Sequence, residues 1–307
     1  MTSASSHSTS SKAPMLQLHW LVVIVAFTAI LGHLISLPAS TLVVWRTAIA
    51  AIILFILIRP KVARDAHPFK LKATLTGIIL GAHWMTFFGA IKLSNISICL
   101  TGLATLSLFT SITEAIQERR KPYFSEILLG AVVIPSMALI VGVEKGELAG
   151  ILTALASALL AAIFTVINKH LVRQGTPPAA ITQYEMLGAC LTCLVTSLAM
   201  GLPIESYLPS QGDWLWLGLL ATVCTVYAFS LNVKLLGHFS AFEANLAINF
   251  EPVYGILLAA VLFQEHKDLH PLFFVGTLLI VLANFAKPII RRLRTIGTLR
   301  KNRPSVN

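Results

Sequence analysis

Residues 38–60, "PASTLVVWRTAIAAIILFILIRP", are long and apolar enough to cross a bilayer, yet they carry Arg46 in their interior. About 20 apolar residues span roughly 30 Å of hydrocarbon as a helix. A guanidinium at that depth costs at least about 2.5–3.5 kcal/mol on insertion scales, so Arg46 needs a partner or a task. Comparable runs recur on both sides of it. Ten are counted, at about 16–36, 38–58, 71–92, 95–117, 124–143, 147–169, 179–201, 213–235, 242–264 and 270–290. They predict an all-α polytopic membrane protein with ten transmembrane helices. Composition agrees, since 12% of the 307 residues are charged against roughly 25% in soluble domains.

The net charge of +10 would suggest nucleic acid in a soluble chain, but its placement has a membrane explanation. With the amino terminus inside, nineteen of the 23 Lys and Arg residues fall in inward-facing segments. Lys92, Lys145 and Lys267 fall outside, and Arg46 lies within a span. That bias predicts ten spans with both termini in the cytoplasm. The basic tail at 291–307 then reads as an anchor at lipid headgroups, and no nucleic-acid partner is expected. Residues 1–14 read as a polar, Ser-rich, disordered tail, with no small-residue cleavage site behind the first apolar run.

The chain also repeats itself. "AFTAILGHL" at 26–34 aligns with "IFTVINKHL" at 163–171, pairing Phe27/Phe164, Thr28/Thr165, Ile30/Ile167, His33/His170 and Leu34/Leu171. "AIKLS" and "NVKLL" mark comparable later helix ends, after which the register drifts and Glu114 and Glu118 have no clear mates. Five spans per half is odd, so the second half enters the membrane inverted. The predicted domains are two inverted five-helix repeats, 15–145 and 146–290. Inverted halves are a device of secondary transporters, which rock about a site near the midplane. The small residues Gly77 and Gly81, and Ala154, Ala158 and Ala162, suit close helix packing within one chain. A homodimer is left open.

Several motifs in order carry a family likeness: "VVWRTAIAA", "ALLAAIFTVINKHLVRQGTPPAAITQYEM" at 158–186 and "NFEPVYGILLAAVLFQE" at 249–265. "GAHWMTFFGAIKLSNISI" at 81–98 and "SLFTSITEAI" at 107–116 are similar to a bacterial branch. Over nearly its whole length the chain resembles the drug/metabolite transporter superfamily, in particular its EamA-like ten-helix members. The resemblance implies an inner-membrane carrier of small metabolites that does not hydrolyse ATP. One departure is Glu114-Ala115 where a Glu-Pro would be expected, which implies a first half without a proline break.

Depth arithmetic selects a partner for Arg46. At 1.5 Å per residue Arg46 lies about 12 Å below the outer surface and Glu251 about 13–14 Å above the inner one. In a core of about 30 Å they differ by some 4–5 Å, within reach of an arginine. A permanent salt bridge, a pair that switches with transport, and an Arg46 offered to a substrate carboxylate all remain open. Glu185, beside Tyr184, and Glu114 sit nearer the inner surface. His83, Trp84, Asn95, Thr101, Asn245, Asn249 and Tyr254 complete the candidate substrate or coupling pathway, each with helix packing or hydrogen bonding as its plainer explanation. Glu118 and Glu265 read as helix-end or gate residues.

Cys99, Cys190, Cys193 and Cys224 all lie within spans, and Cys190-x-x-Cys193 has no second pair, so they read as packing residues. No metal and no cofactor is expected. An intramembrane enzyme would need a nucleophile elbow or a His-Glu-x-x-His helix, and neither occurs. A non-transporting scaffold explains neither the repeat nor Arg46. The expected function is secondary active transport by alternating access, with amino acid or related metabolite export favoured and protons as the candidate coupling ion. A nucleotide-sugar or drug transporter is the alternative within the same architecture. The expected partners are a small-molecule substrate and the lipid bilayer.

Overall fold

A computed structural model describes residues 12–58, 67–121 and 123–284, and it is helical wherever an apolar run was found. The chain order is α1 (Ala13–Leu34), α2 (Ala39–Ile56), α3 (Pro68–Leu93), α4 (Ile96–Gln117), α5 (Ile127–Val143), α6 (Lys145–Arg173), α7 (Pro178–Ala199), α8 (Asp213–Leu235), α9 (Ala241–Leu262) and α10 (Pro271–Asn284). Eight of these are long and apolar enough to cross a membrane; α5 belongs to a helix that runs from Phe124 to Val143, and α10 is described as far as Asn284. The protein is thus an all-helical, multi-pass membrane protein, and the expected ten helices are present. The helical chain already begins at Lys12, so residues 12–14 of the expected tail are helix. The basic tail at 291–307 lies outside the described residues.

Bonds between helix ends define two faces of the bundle. On face A, Asp213 accepts from the Ser36 N–H and hydroxyl, both at 2.7 Å. There too Glu265 accepts from the N–H groups of Ile96 at 3.0 Å and Ser97 at 2.9 Å, and from the Ser97 hydroxyl at 2.6 Å. On face B, Glu114 accepts from the Phe242 N–H at 3.3 Å. Lys92 Nζ donates to the Ile35 carbonyl and the His270 N–H to Glu144, which join the ends of α1, α3, α5 and α9 on face A, so α1 ends there and α6 starts there.

The packing between the halves keeps its pattern when α1–α5 are exchanged for α6–α10. The contact of α3 with α6 is matched by α8 with α1, α3 with α7 by α8 with α2, and α4 with α6 by α9 with α1. The pairs α2 with α7 and α4 with α9 map onto themselves. Helices α5 and α10 stand apart. Met137 and Ile140 of α5 join Phe273 and Ile280 of α10 in a second apolar cluster outside the main core.

The small residues work as intramolecular packing sites. A Cβ added at Gly81 would come within 2.8 Å of the Ala189 backbone, and one at Gly77 within 2.7 Å of Glu185 Cα, so α3 and α7 meet backbone to backbone. Such approach is how membrane helices associate without a hydrophobic drive.

Two helices are interrupted near mid-depth. Helix α9 divides at Asn249–Phe250, just before Glu251-Pro252, as a proline in the first turn of the continuing segment permits. The first half has no proline at the corresponding place, yet α4 also divides, at Ala104–Thr105. The Thr105 hydroxyl takes the Gly102 carbonyl at 2.7 Å, and Asn284 Nδ2 takes the Ala104 carbonyl at 2.9 Å. Side chains thus satisfy the backbone that the break releases, as a lipid-buried site requires.

On face A two carboxylates join helix ends of the two halves, and this sets a test. Replacing both Ser97 and Glu265 by Ala removes every bond of the second clasp. The double variant is expected to let an impermeant thiol reagent reach a cysteine introduced at Leu103 from face A, where the intact clasp protects it.

Candidate functional site

Helix α8 holds a π-helical turn at Thr222–Tyr227, in which Thr225 bonds to the carbonyl of Leu220 five residues back at 2.7 Å. Such a turn shifts the backbone register and recurs at functional sites. Here it presents Thr225 Oγ1 and the Cys224 carbonyl to Arg46. Arg46 Nε donates to Thr225 Oγ1 at 2.6 Å, and Nη2 reaches the Cys224 carbonyl at 3.5 Å. The guanidinium lies 3.9 Å from the centroid of the Trp84 ring, a cation–π contact. Its Nη1 has no hydrogen-bond partner.

Arg46 is one wall of a cavity between the halves, also lined by Thr28, His83, Trp84, Asn245 and Glu251. The space between atoms amounts to about 650 Å³ when counted out through the open mouth. Glu251 is buried on this cavity and makes no hydrogen bond or ion pair with any described residue. Among the described residues the one ion pair is Arg120–Glu118, so Arg46 and Glu251 share the cavity without closing into a salt bridge. His83 Nδ1 is 2.9 Å from both the carbonyl and the hydroxyl oxygen of Ser157. Asn245 Nδ2 donates to Thr110 at 2.8 Å. Phe87, Phe164 and Phe229 complete apolar walls beside Trp84. The cavity is asymmetric in depth. Asn232 and Asn245 lie three and four residues from the face B ends of α8 and α9, whereas no lining residue lies within five of a face A end.

The structure brings Arg46, His83, Trp84, Asn245 and Glu251 together and places the other candidates elsewhere. Asn95 caps α4, accepting the Ile98 N–H at 2.8 Å. Thr101 bonds to Thr277 of α10 at 3.1 Å. Asn249 donates to Ser107 at 3.0 Å, and Ser107 bonds in turn to Asn284, behind the α4 break. Glu114 is the face B clasp on α9. Tyr184 packs edge-on against Phe55 and Phe69. Tyr254 is 44% exposed on the outer side of the bundle, so its place in a pathway is corrected. Glu185 is buried off the cavity, between α7 and α6. Among the described residues no cluster of His, Cys, Asp and Glu could hold a metal.

Reading by residue type missed Thr165, Phe164, Phe229, Asn232 and Thr225. The repeat did carry a signal, because its aligned pair Thr28 and Thr165 both line the cavity. Thr225 had none, since its role depends on the π turn. Thr225→Val, which keeps the shape and removes the acceptor of Arg46, is expected to weaken transport while leaving membrane abundance unchanged, a comparison that quantitative immunoblotting and flux at matched abundance provide.

Residues 148–286 match the EamA-like transporter family, part of the drug/metabolite transporter superfamily. No curated protein matches the chain significantly. A solved structure described only as "Crystal structure of protein" is similar with a TM-score of 0.64 at 14% identity, covering 89% of this chain and 95% of that one. At that identity the likeness speaks for the fold alone.

Proposed function

From the premise of an EamA-family membrane protein, we propose a secondary transporter of small zwitterionic metabolites, amino acids foremost, working by alternating access between inverted halves. One observation carries this reading: a single cavity holds an arginine with an unused donor and a carboxylate with no partner. A free amino acid supplies the complement to both, its carboxylate to Arg46 Nη1 and its ammonium group to Glu251. A charge-assisted hydrogen bond of this kind is about twice as strong as a neutral one. Trp84 and the three phenylalanines suit an apolar or aromatic side chain.

The pseudo-symmetric packing supports the cycle. Face A is clasped and the cavity approaches face B, so exchanging the roles of the halves opens the same site to face A. The charge bias supports face B as the cytoplasmic side, and export across a bacterial inner membrane is part of the same proposal. Protons are the proposed coupling ion.

The test is an untargeted metabolite profile of the medium from bacteria carrying empty vector, wild type, or Arg46→Gln at matched abundance. The reading expects one or more amino acids enriched outside with wild type only. Enrichment by wild type and Arg46→Gln alike would remove Arg46 from the mechanism. Enrichment of a nucleotide sugar or of a cationic drug instead would replace the substrate class, and no enrichment would contradict export.

A further inference from the structure

Glu185 is the eighth residue of α7, as Arg46 is the eighth of α2, and each follows an aromatic residue, Tyr184 and Trp45. Helices α2 and α7 are counterparts in the two halves and pack on each other. Counted from the helix starts, two charges of opposite sign thus stand at matching positions, two residues out of the register of the aligned 26–34 and 163–171 segments, one on the cavity and one off it. Glu185 is 0% exposed, and neither of its oxygens has a hydrogen-bond partner. Asn168 of α6 adjoins it without meeting it in hydrogen-bond geometry, and both Asn168 Nδ2 and Oδ1 are unpartnered as well.

Four unused polar atoms side by side in a protein interior are costly and demand a ligand or a change of state. An ionised carboxylate sealed there with no paired cation, and only the Asn168 amide nearby, would cost several kcal/mol. A carboxylic acid costs far less, and its O–H can be offered to Asn168 Oδ1. Of the groups carried within the membrane by the helices packed on α7, Arg46 of α2 binds Thr225 and His83 of α3 meets Ser157. Lys169 of α6 binds the carbonyls of Leu236 and Phe239. No charged group of α2, α3, α6 or α8 pairs with Glu185.

Asn168 follows the cavity-lining Thr165 by three residues on α6, nearly one turn. Asn232 on α8, which packs against α6, lines the cavity and leaves its Oδ1 unpartnered.

We propose that Glu185, with Asn168 beside it, is the site of the coupling proton, separate from the substrate site at Arg46 and Glu251. This rests on the transport reading. When the halves exchange roles, α7 takes the position that α2 holds now and Glu185 faces the cavity. There the carboxylate takes up a proton from one side, and in the other state the acid returns it to the opposite side. No electrons move, and the carboxylate is regenerated each cycle.

The experiment uses the full chain reconstituted in liposomes. Infrared spectroscopy reads the C=O stretch of a protonated carboxyl in wild type, Glu185→Gln, Glu251→Gln and Asn168→Leu. Vesicle assays with a radiolabelled mixture of the proteinogenic amino acids read exchange at equal pH and accumulation under a pH gradient. The expected result is an acid band in wild type that Glu185→Gln removes, Glu251→Gln keeps and Asn168→Leu shifts. Glu185→Gln is expected to keep exchange and to lose gradient-driven accumulation to the level of protein-free vesicles. A band that survives Glu185→Gln overturns the assignment, as does accumulation that survives it or that follows a sodium gradient instead. Wild-type vesicles that exchange no amino acid would fail the substrate reading first, and the infrared arm would still decide whether Glu185 holds a proton.

Discussion

Arg46→Gln is expected to abolish transport while leaving membrane abundance close to wild type. The side chain of Gln reaches neither Thr225 nor the face of Trp84 as Arg46 does, and it brings no charge to a substrate carboxylate. Removing one member of a buried, hydrogen-bonded charge pair costs about 2–5 kcal/mol, which is at least about 30-fold in binding. Arg46→Lys tests the geometry rather than the charge. An ammonium group is a point donor, so it cannot stack on Trp84 and still keep both the Thr225 bond and a free fork for substrate. Its recovery of activity is expected to be slight. The measurement is initial flux at matched abundance. Near wild-type flux for Arg46→Gln would reduce the residue to a packed interior charge.

Gly188→Val carries the largest expected cost to the fold. A Cβ at Gly188 would press on the Thr74 carbonyl oxygen and come within 3.0 Å of Gly77 Cα, backbone atoms that cannot turn aside. Helices α3 and α7 would have to separate, and with them one of the main contacts between the halves. Overpacking of this kind costs about 1–3 kcal/mol or more. Gly142→Val is the control, because a Cβ there meets nothing within 4 Å. Thermal unfolding in detergent is expected to fall sharply for Gly188→Val and hardly at all for Gly142→Val. Equal stability of the two would contradict the close contact of α3 with α7.

Much of the fold was legible because lipid imposes a plain rule: a helix that crosses must be apolar for about 20 residues. Apolar runs therefore located the ten helices of the described residues. The site was legible in part. Depth arithmetic placed Arg46 and Glu251 at compatible levels, and both line the cavity. Depth is one coordinate of three, however, and the direction in which each side chain points depends on packing. Arg46 turns to Thr225 because a π turn brings that hydroxyl forward, and no residue pattern announces the turn. Tyr254 turns outward past the break at Asn249–Phe250, so its closeness in sequence to Glu251 misled. Asn95 is a helix cap, a role its place before Ile96 could have suggested. Glu114 and Glu265 were unmatched in the sequence, yet they clasp the starts of α9 and α4 on opposite faces. That correspondence is spatial, since their spacing in the sequence differs from that of the aligned repeats.

Counterflow in liposomes asks whether amino acids pass through this cavity. Vesicles loaded with unlabelled amino acids are diluted into trace labelled ones, with protein carrying a single cysteine at Ala228 on the cavity wall. Saturable exchange that stops when a bulky thiol reagent occupies position 228 is the predicted result. Exchange that persists undiminished after complete modification of that cysteine would show that substrate does not pass through this cavity, and would contradict the account.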